Sequence, residues 1–366
     1  MNKEDIKYMV AVHRAMNLTF LRYKKLKSFF ANDWQKVWGA NIRDLQASEL
    51  DTPGISNFLQ SREKISPEKE MELLKKCGAE VLVYGEKDYP QNLANLYSPP
   101  VLLFCRGKIL PTDFPAISVV GSRKLSSYGQ RAIEKIVGEI SREGVTIVSG
   151  LALGADFQAH KIALQNGART IAVLGSGIDN ISPKTNENFA EKFLAEEKGV
   201  ILSEYLPGTE IRPENFPVRN RIVAGLSRAV IVIEAAIKSG SLITAELAVN
   251  QGKEVFAVPG EIFAKNSAGT NQIIWKGQAT LAISGHQILE DLGMKNFAKK
   301  KEAQKLIPTT EIEDQVLALF TEDKMPINDI FRQSDLAQSV ISSTLAILEI
   351  KGLVKNLGNQ IYSRTF

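Results

Sequence analysis

Short loops rich in glycine and serine recur through the middle of the chain, each following a run of apolar, often β-branched residues. Gly121-Ser122-Arg123-Lys124 follows Ile117–Val120, Ser149-Gly150-Leu151-Ala152 follows Val145–Val148, and Gly175-Ser176-Gly177 follows Thr170–Leu174. Ser239-Gly240-Ser241 comes shortly after Val230–Ile233, and Pro259-Gly260 with Gly269-Thr270-Asn271 comes after Val255–Val258. Side chains this small let backbone N–H groups approach a ligand, and a helix opening from such a loop favours an anion at its N-terminus. Arg123, Lys184, Arg219 and Arg221 add positive charge to the same loops. Arginine contacts phosphate through charge-assisted, often bidentate hydrogen bonds, and Phe216 beside the arginine pair offers a face on which a base can stack. One glycine loop carries little weight, because βα turns use glycine for geometry alone; five with basic neighbours point to a phosphate-binding groove. Arg219 is expected to contact the ligand. Arg221 lies deeper, toward Ile222 and Val223, so ligand contact and bracing of loop carbonyls both stay open for it.

Other chemistries lack their residues. The lysine and Ser/Thr that end a phosphate loop of the P-loop type are absent, and Gly175-Ser176-Gly177 supplies two of the three glycines of a dinucleotide fingerprint, with Asn at position 180. The chain has three histidines. His13 falls on an apolar helical face and is expected in the core. His160 follows Asp156 by four residues on one helix face, as a structural pair or an acid–base couple. His286 opens a capping-like segment. No HExxH, Cys/His cluster or nucleophile elbow supports metal or acyl-transfer chemistry, so neither cofactor nor metal is expected.

The elements that must position these loops follow from patterning. At 366 residues, with 44% hydrophobic and 23% charged residues, the chain is long enough for two or three globular domains. Residues 1–75 carry apolar positions at helical spacing, around Ile6, Met9 and Val10 and again at Trp34, Val37 and Trp38. Seven basic residues against two acidic ones in the first thirty read as a solvated lysine-rich face, with a nucleic-acid face as the alternative. Over 79–294, seven apolar runs alternate with helix-length segments, which predicts a doubly wound α/β domain on a mainly parallel sheet. Ligands bind such sheets beyond the carboxyl ends of the strands, where the glycine loops lie. Residues 295–307 read as a lysine-rich linker, and 308–366 as three helices and a hairpin in winged-helix order. Two cysteines, Cys77 and Cys105, form no disulfide framework, and the N-terminus has no apolar secretory core. No stretch reaches membrane-spanning length, so a cytoplasmic protein is expected.

The central region resembles the DNA-processing protein A family, also called DprA or Smf. The resemblance rests on Gly121-Ser122-Arg123, Val148–Ala152, Thr170–Gly177, Asn215-Phe216-Pro217 with Arg219-Asn220-Arg221, Ser239–Ala245, and Val255–Gly260 with Gly269-Thr270-Asn271, in family order over roughly 80–294. It implies an extended Rossmann-like fold, flanked by a helical domain of SAM-like or helix-hairpin-helix-like type and a winged-helix-like domain. It further implies a homodimer that binds single-stranded DNA through the backbone, protects incoming strands in natural transformation and loads the RecA recombinase, without being an enzyme. The family's phosphate loop maps to Gly121, Ser122 and Arg123, its lysine–asparagine element to Lys184 and Asn186, and its arginine pair to Arg219 and Arg221. Gly175, Asn220, Ser239, Gly240 and Ser241 complete the expected DNA-phosphate set. Three positions depart from the family: Leu153 for Arg, Ser182 for Tyr, and Val218 for a basic residue or proline. Fewer cations mean fewer displaced counterions and a shallower salt dependence of binding. Ile273, Ile274 and Trp275 are a dimer seam or ordinary core packing.

Two other classes compete. A nucleotide phosphoribohydrolase on a related scaffold needs Pro-Gly-Gly-x-Gly-Thr, whereas Pro259-Gly260 is here separated from Gly269-Thr270 by an insertion. A transcription regulator would read duplex DNA through the C-terminal module. Residues 307–366 hold five basic against eight acidic residues, and Leu336–Ile350, in the place of a recognition helix, has no basic residue at all.

Overall fold

Six polar side chains start the six N-terminal helices. Asn2, Thr19, Asp33, Asn41, Asp51 and Ser66 each accept a hydrogen bond from a first-turn N–H of α1 (Lys3–Met16), α2 (Phe20–Phe29), α3 (Trp34–Gly39), α4 (Ile42–Ala47), α5 (Thr52–Arg62) and α6 (Pro67–Lys76). Their apolar faces close on Met9, Phe58 and Trp34, with Tyr23 stacked on Trp34 at 5.7 Å between ring centroids. Much of the basic charge of this region is spent internally: Lys7 pairs with Glu4 and Glu68, Arg14 with Glu70, and Arg22 with Asp51.

The computed structural model describes residues 1–294, 310–320, 324–334, 336–351 and 353–364; the linker expected over 295–307 lies outside them. Two compact units, Met1–Lys295 and Asn296–Phe366, make up the chain.

Beyond α6 the first unit builds a nine-stranded sheet. Its strands are β1 (Ala79–Val83), β2 (Leu102–Arg106), β3 (Ala116–Val120), β4 (Thr146–Ser149), β5 (Thr170–Gly177), β6 (Gly199–Tyr205), β7 (Ala229–Val232), β8 (Glu254–Ala257) and β9 (Thr280–Leu281). The spatial order is β1-β2-β6-β5-β4-β3-β7-β8-β9. From β6 to β9 every pairing is parallel; β2 runs antiparallel to both β6 and β1. The sheet is thus mainly parallel, as the apolar runs predict, but β2 and β9 were not among those runs.

Between strands lie α7 (Gln91–Ala94), α8 (Ser127–Arg142), α9 (Ala155–Gln165), α10 (Glu187–Ala195), α11 (Asn215–Leu226), α12 (Gly240–Asn250), α13 (Ala268–Trp275) and α14 (Gly285–Asp291). Alternation along β5 shows how the faces are shared. Ala172 and Leu174 join a core with α10 and the N-terminal helices; Ile171 and Val173 join one with α11 and α12. The N-terminal helices therefore pack onto one face of the sheet.

The second unit has α15 (Glu311–Ala318), α16 (Ile327–Arg332) and α17 (Gln338–Ile350) with β10 (Met325–Pro326), β11 (Val354–Asn356) and β12 (Ile361–Arg364) in antiparallel order β10-β12-β11. Val316, Ile330, Ile341, Leu345 and Leu348 form its core. This is a winged-helix arrangement. Among the described residues no helix is long and apolar enough to cross a membrane.

Candidate nucleic-acid interface on the sheet rim

Strand order reverses at β3, which lies between β4 and β7, so the loops after β3 and β7 diverge there and leave the crevice where α/β sheets usually take a phosphate. Here a carboxylate of the chain itself fills that place. Glu234, at the end of β7 and 2% exposed, accepts hydrogen bonds from the Ser126 N–H (3.0 Å) and the Ser126 hydroxyl at the start of α8. A side chain at Gly129, in the first turn of α8, would put its Cβ 2.6 Å from that carboxylate. The N-terminus of α8 is thus already neutralised by an internal anion.

The loop after β4 is treated alike. Asp156, in the first turn of α9, accepts from the N–H groups of Gly150 (3.2 Å) and Ala152 (3.4 Å). Arg219 reaches across from α11 and donates to the carbonyls of Gly150 (2.8 Å) and Val173. It is 5% exposed, and its guanidinium takes the space where a Cβ on Gly150 would project. Burial pushes the Asp156 carboxyl up, opposed by Arg219, and burial pulls the Arg219 guanidinium down, opposed by Asp156. Arg219, expected as a ligand contact, is a loop brace. His160 makes no couple with Asp156; its Nδ1 meets the Thr170 hydroxyl at 2.6 Å.

Arg221 points elsewhere. Its guanidinium pairs with Glu204 at 2.5 Å, and the Glu204 carbonyl lies 3.3 Å from His13 Nε2, which ties α11 to the N-terminal helices. Asn186 is also turned inward: 3% exposed, it donates to the Leu151 carbonyl at 2.9 Å. The phosphate-contact role expected for Arg221 and Asn186 therefore gives way to structural bonds in this conformation.

What remains at the surface is a smaller set. Arg123 is exposed, and its guanidinium stands 5.7 Å from the centroid of Phe216, so the aromatic face expected to receive a base is covered by arginine. Phe216 in turn sits where Gly175 has no side chain; a Cβ there would lie 2.9 Å from the ring. Lys124, exposed beside Arg123, was not singled out from the sequence although the adjacent pair of cations is legible there. Ser122 hydroxyl folds onto its own loop, donating to the Lys124 carbonyl at 2.9 Å, and Gly121 packs against Ala155. Lys184 is exposed and pairs with Glu187 at 2.9 Å, a surface contact that costs little to exchange for a phosphate. Ser239 caps α12 through the Ser241 N–H, Gly240 is exposed, and Asn220 reaches toward the Gly240 carbonyl at 3.5 Å. Leu153 and Val218, both 48% exposed, put apolar side chains on the same rim. At the other end, Ile273 is buried while Trp275 is 82% exposed, so the trio divides between core and surface. Among the described residues no group of histidines, cysteines and carboxylates is placed to hold a metal.

Comparison with known proteins agrees with this architecture. Residues 80–293 match the family of DNA recombination-mediator protein A, and residues 300–360 match the DprA winged helix domain. The DNA processing protein DprA of Streptococcus pneumoniae is 45% identical over 203 residues, 56% of this chain and 71% of that protein. Protein Smf of Synechocystis is 34% identical over 369 residues, 90% of this chain and 92% of that protein. The crystal structure of the pneumococcal protein superposes with a TM-score of 0.68 at 36% identity, covering 78% of this chain and 97% of that one. DNA processing protein A of Helicobacter pylori, described for its single-stranded DNA binding mode, superposes with a TM-score of 0.53 at 31% identity, covering 58% of this chain and 95% of that one.

Proposed function

This chain belongs to the DNA recombination-mediator protein A family, and on that premise we propose that it binds single-stranded DNA along the carboxyl rim of its sheet. The observation that carries the reading is Arg123: an exposed guanidinium held over the Phe216 ring, with Lys124 beside it and no ion pair among the described residues. Phosphates bind Arg123, Lys124 and Lys184, with Gly121, Ser122 and the Ser239–Ser241 loop shaping the floor. Arg219, Arg221, Asn186 and Gly175 hold that floor in place from beneath. Bases are read loosely, so sequence preference is slight.

The reading extends to a cytoplasmic recombination mediator that acts as a homodimer, shelters incoming strands in natural transformation and hands them to RecA without catalysing a reaction itself. The exposed Trp275 with Ile274 supplies the apolar surface for a second copy. Glu234 argues against a nucleotide phosphoribohydrolase: locked to Ser126 at the crevice, it repels the very phosphate such an enzyme must seat.

A gel shift with a single-stranded oligonucleotide against the matched duplex tests the core of this reading, comparing wild type with Arg123→Ala and Lys184→Ala. Single-strand preference weakened by either change is expected. Equal affinity for duplex, or indifference to both changes, overturns it.

A further inference from the structure

Outside the rim residues, the first unit carries a cleft of about 330 Å³ between α8 and the ends of β8 and β9, lined by Tyr128, Arg131, Lys135, Ile136, Val258, Pro259 and Ile283 among others. Its chemistry is divided. Ile136, Val258, Pro259 and Ile283 make an apolar floor and wall, and Tyr128, 42% exposed, stands at one side with its hydroxyl donating to the Pro259 carbonyl at 2.6 Å. Over the mouth stand Arg131 and Lys135, one helical turn apart on the same face of α8 and both exposed. Neither forms an ion pair among the described residues; the one acid between them, Glu134, is engaged by Gln130 at 3.3 Å.

We propose that this cleft receives the single strand after it leaves the rim, a phosphate on Arg131 and Lys135 and a base against the apolar wall. The proposal rests on the single-strand reading above. A nucleotide unit has the same division, a fixed anion joined to a flat, largely apolar ring, which a fatty or purely acidic ligand lacks. Continuity with the rim identifies the occupant as the same strand. Asn266 donates to the Lys124 carbonyl at 3.1 Å, so the loop carrying Pro259, Gly260 and Lys265 lies directly beside the Arg123–Lys124 loop and walls the cleft on its far side. Exposed Lys124 and Lys265 on the two touching loops, with Glu261 the exposed acid beside them, and Arg131 and Lys135 at the cleft supply cations on both sides of that junction.

The test takes the full chain and oligothymidylates of increasing length, with binding followed by fluorescence anisotropy over a salt series. The variants are Arg131→Ala with Lys135→Ala, the charge-keeping Arg131→Lys with Lys135→Arg, and Arg123→Ala. Short strands should bind the double alanine variant as they bind wild type. Long strands should bind it on the order of tenfold more weakly, with a salt slope smaller by about 0.7, the share of one lost phosphate contact on a single strand. The charge-keeping variant should restore both. Photocrosslinking of long 4-thiothymidine strands to the wild type gives a readout independent of any variant, and adducts within 128–136 or 282–283 support the path. Unchanged binding of the double alanine variant at every length, with Arg123→Ala still weakening all of them, overturns the cleft and leaves the rim reading standing. A double alanine variant that changes sedimentation mass and not DNA affinity makes the cleft a self-contact and overturns it too. If the wild type binds no single strand, both readings fall.

Discussion

The Arg123 guanidinium stands 5.7 Å from the centre of the Phe216 ring, and the ring itself is seated against the backbone of Gly175. Three segments thereby fix one cation: the loop after β3 supplies it, the helix after β6 supplies its platform, and the end of β5 makes room for the platform. A guanidinium held this way loses less side-chain freedom on meeting a phosphate than a free one.

Arg123→Ala and Phe216→Ala should therefore weaken single-strand binding in different ways. The first removes a charge-assisted contact worth roughly 1.5–3 kcal/mol, an affinity loss of about tenfold or more, and lowers the salt slope by about 0.7. The second removes only the platform, worth about 0.5–1 kcal/mol, and leaves the slope unchanged. Titrations at several salt concentrations separate the two, and a Phe216→Ala slope as low as that of Arg123→Ala would refute the division of labour.

Arg219 should behave as part of the fold. Its removal strands the Gly150 and Val173 carbonyls and leaves Asp156 buried without its opposing charge. Leaving the two buried acceptors unsatisfied costs about 1–3 kcal/mol each. Denaturant unfolding of Arg219→Ala should show a loss of that size, whereas Arg123→Ala should stay within about 0.5 kcal/mol of wild type. Wild-type stability in Arg219→Ala, with DNA binding lost, would return Arg219 to the ligand.

The contrast between Arg219 and Arg221 also shows what the sequence hid. The sequence favours ligand contact for Arg219 and leaves Arg221 open; with Asn215–Arg221 as the first turns of α11, each arginine has its own partners within the fold. Two residues apart on a helix point in different directions, so Arg219 reaches the Gly150 and Val173 carbonyls while Arg221 reaches Glu204 on β6. The parallel strands were legible because a sheet covered on both faces demands continuous apolar runs. β2 escaped because it joins as an antiparallel strand, with no helical crossover to announce it, and β9 because two residues paired to β8 carry no pattern of their own. The glycines were legible as points of close approach. What approaches Gly129, Gly150 and Gly175 is Glu234, Arg219 and Phe216, partners remote in sequence that only the folded rim brings near.

Leu153 marks a place where charge can be added. It is 48% exposed, and the neighbouring Gly154 lies so close to the Ser122–Arg123 backbone that no side chain fits between them. A cation at 153 would stand well within a Debye length of Arg123, about 8 Å at physiological salt. Leu153→Arg should tighten single-strand binding several-fold at low salt and steepen the salt slope by about 0.7, with little change in stability. An unchanged slope would show that the strand does not pass the loop after β4.

Acid should destabilise the first unit through His160. Thr170 Oγ1 donates to the Ile147 carbonyl, so it accepts from the Nδ1–H of a neutral His160, and Nε2 is left buried without a partner among the described residues. Burial, with a smaller push from Arg219, lowers this imidazole from 6.5 to about 3. Because the folded value lies below the unfolded one, the unfolded chain binds the proton first. The stability is complete above about pH 6.5 and drains away as the pH falls toward 3. At pH 5 the cost is about 2 kcal/mol, from 1.36 kcal/mol per pH unit below the unfolded value. His13, also buried and lowered, adds in the same sense, while Asp156, whose carboxyl is raised, acts oppositely; comparison with a variant isolates His160. His160→Leu should keep near wild-type stability at pH 7, since Thr170 retains its bond to Ile147, and should lose about 2 kcal/mol less than wild type between pH 7 and 5. Denaturant unfolding of both proteins at the two pH values measures the difference, and equal losses would mean that folding does not lower the pKa of His160.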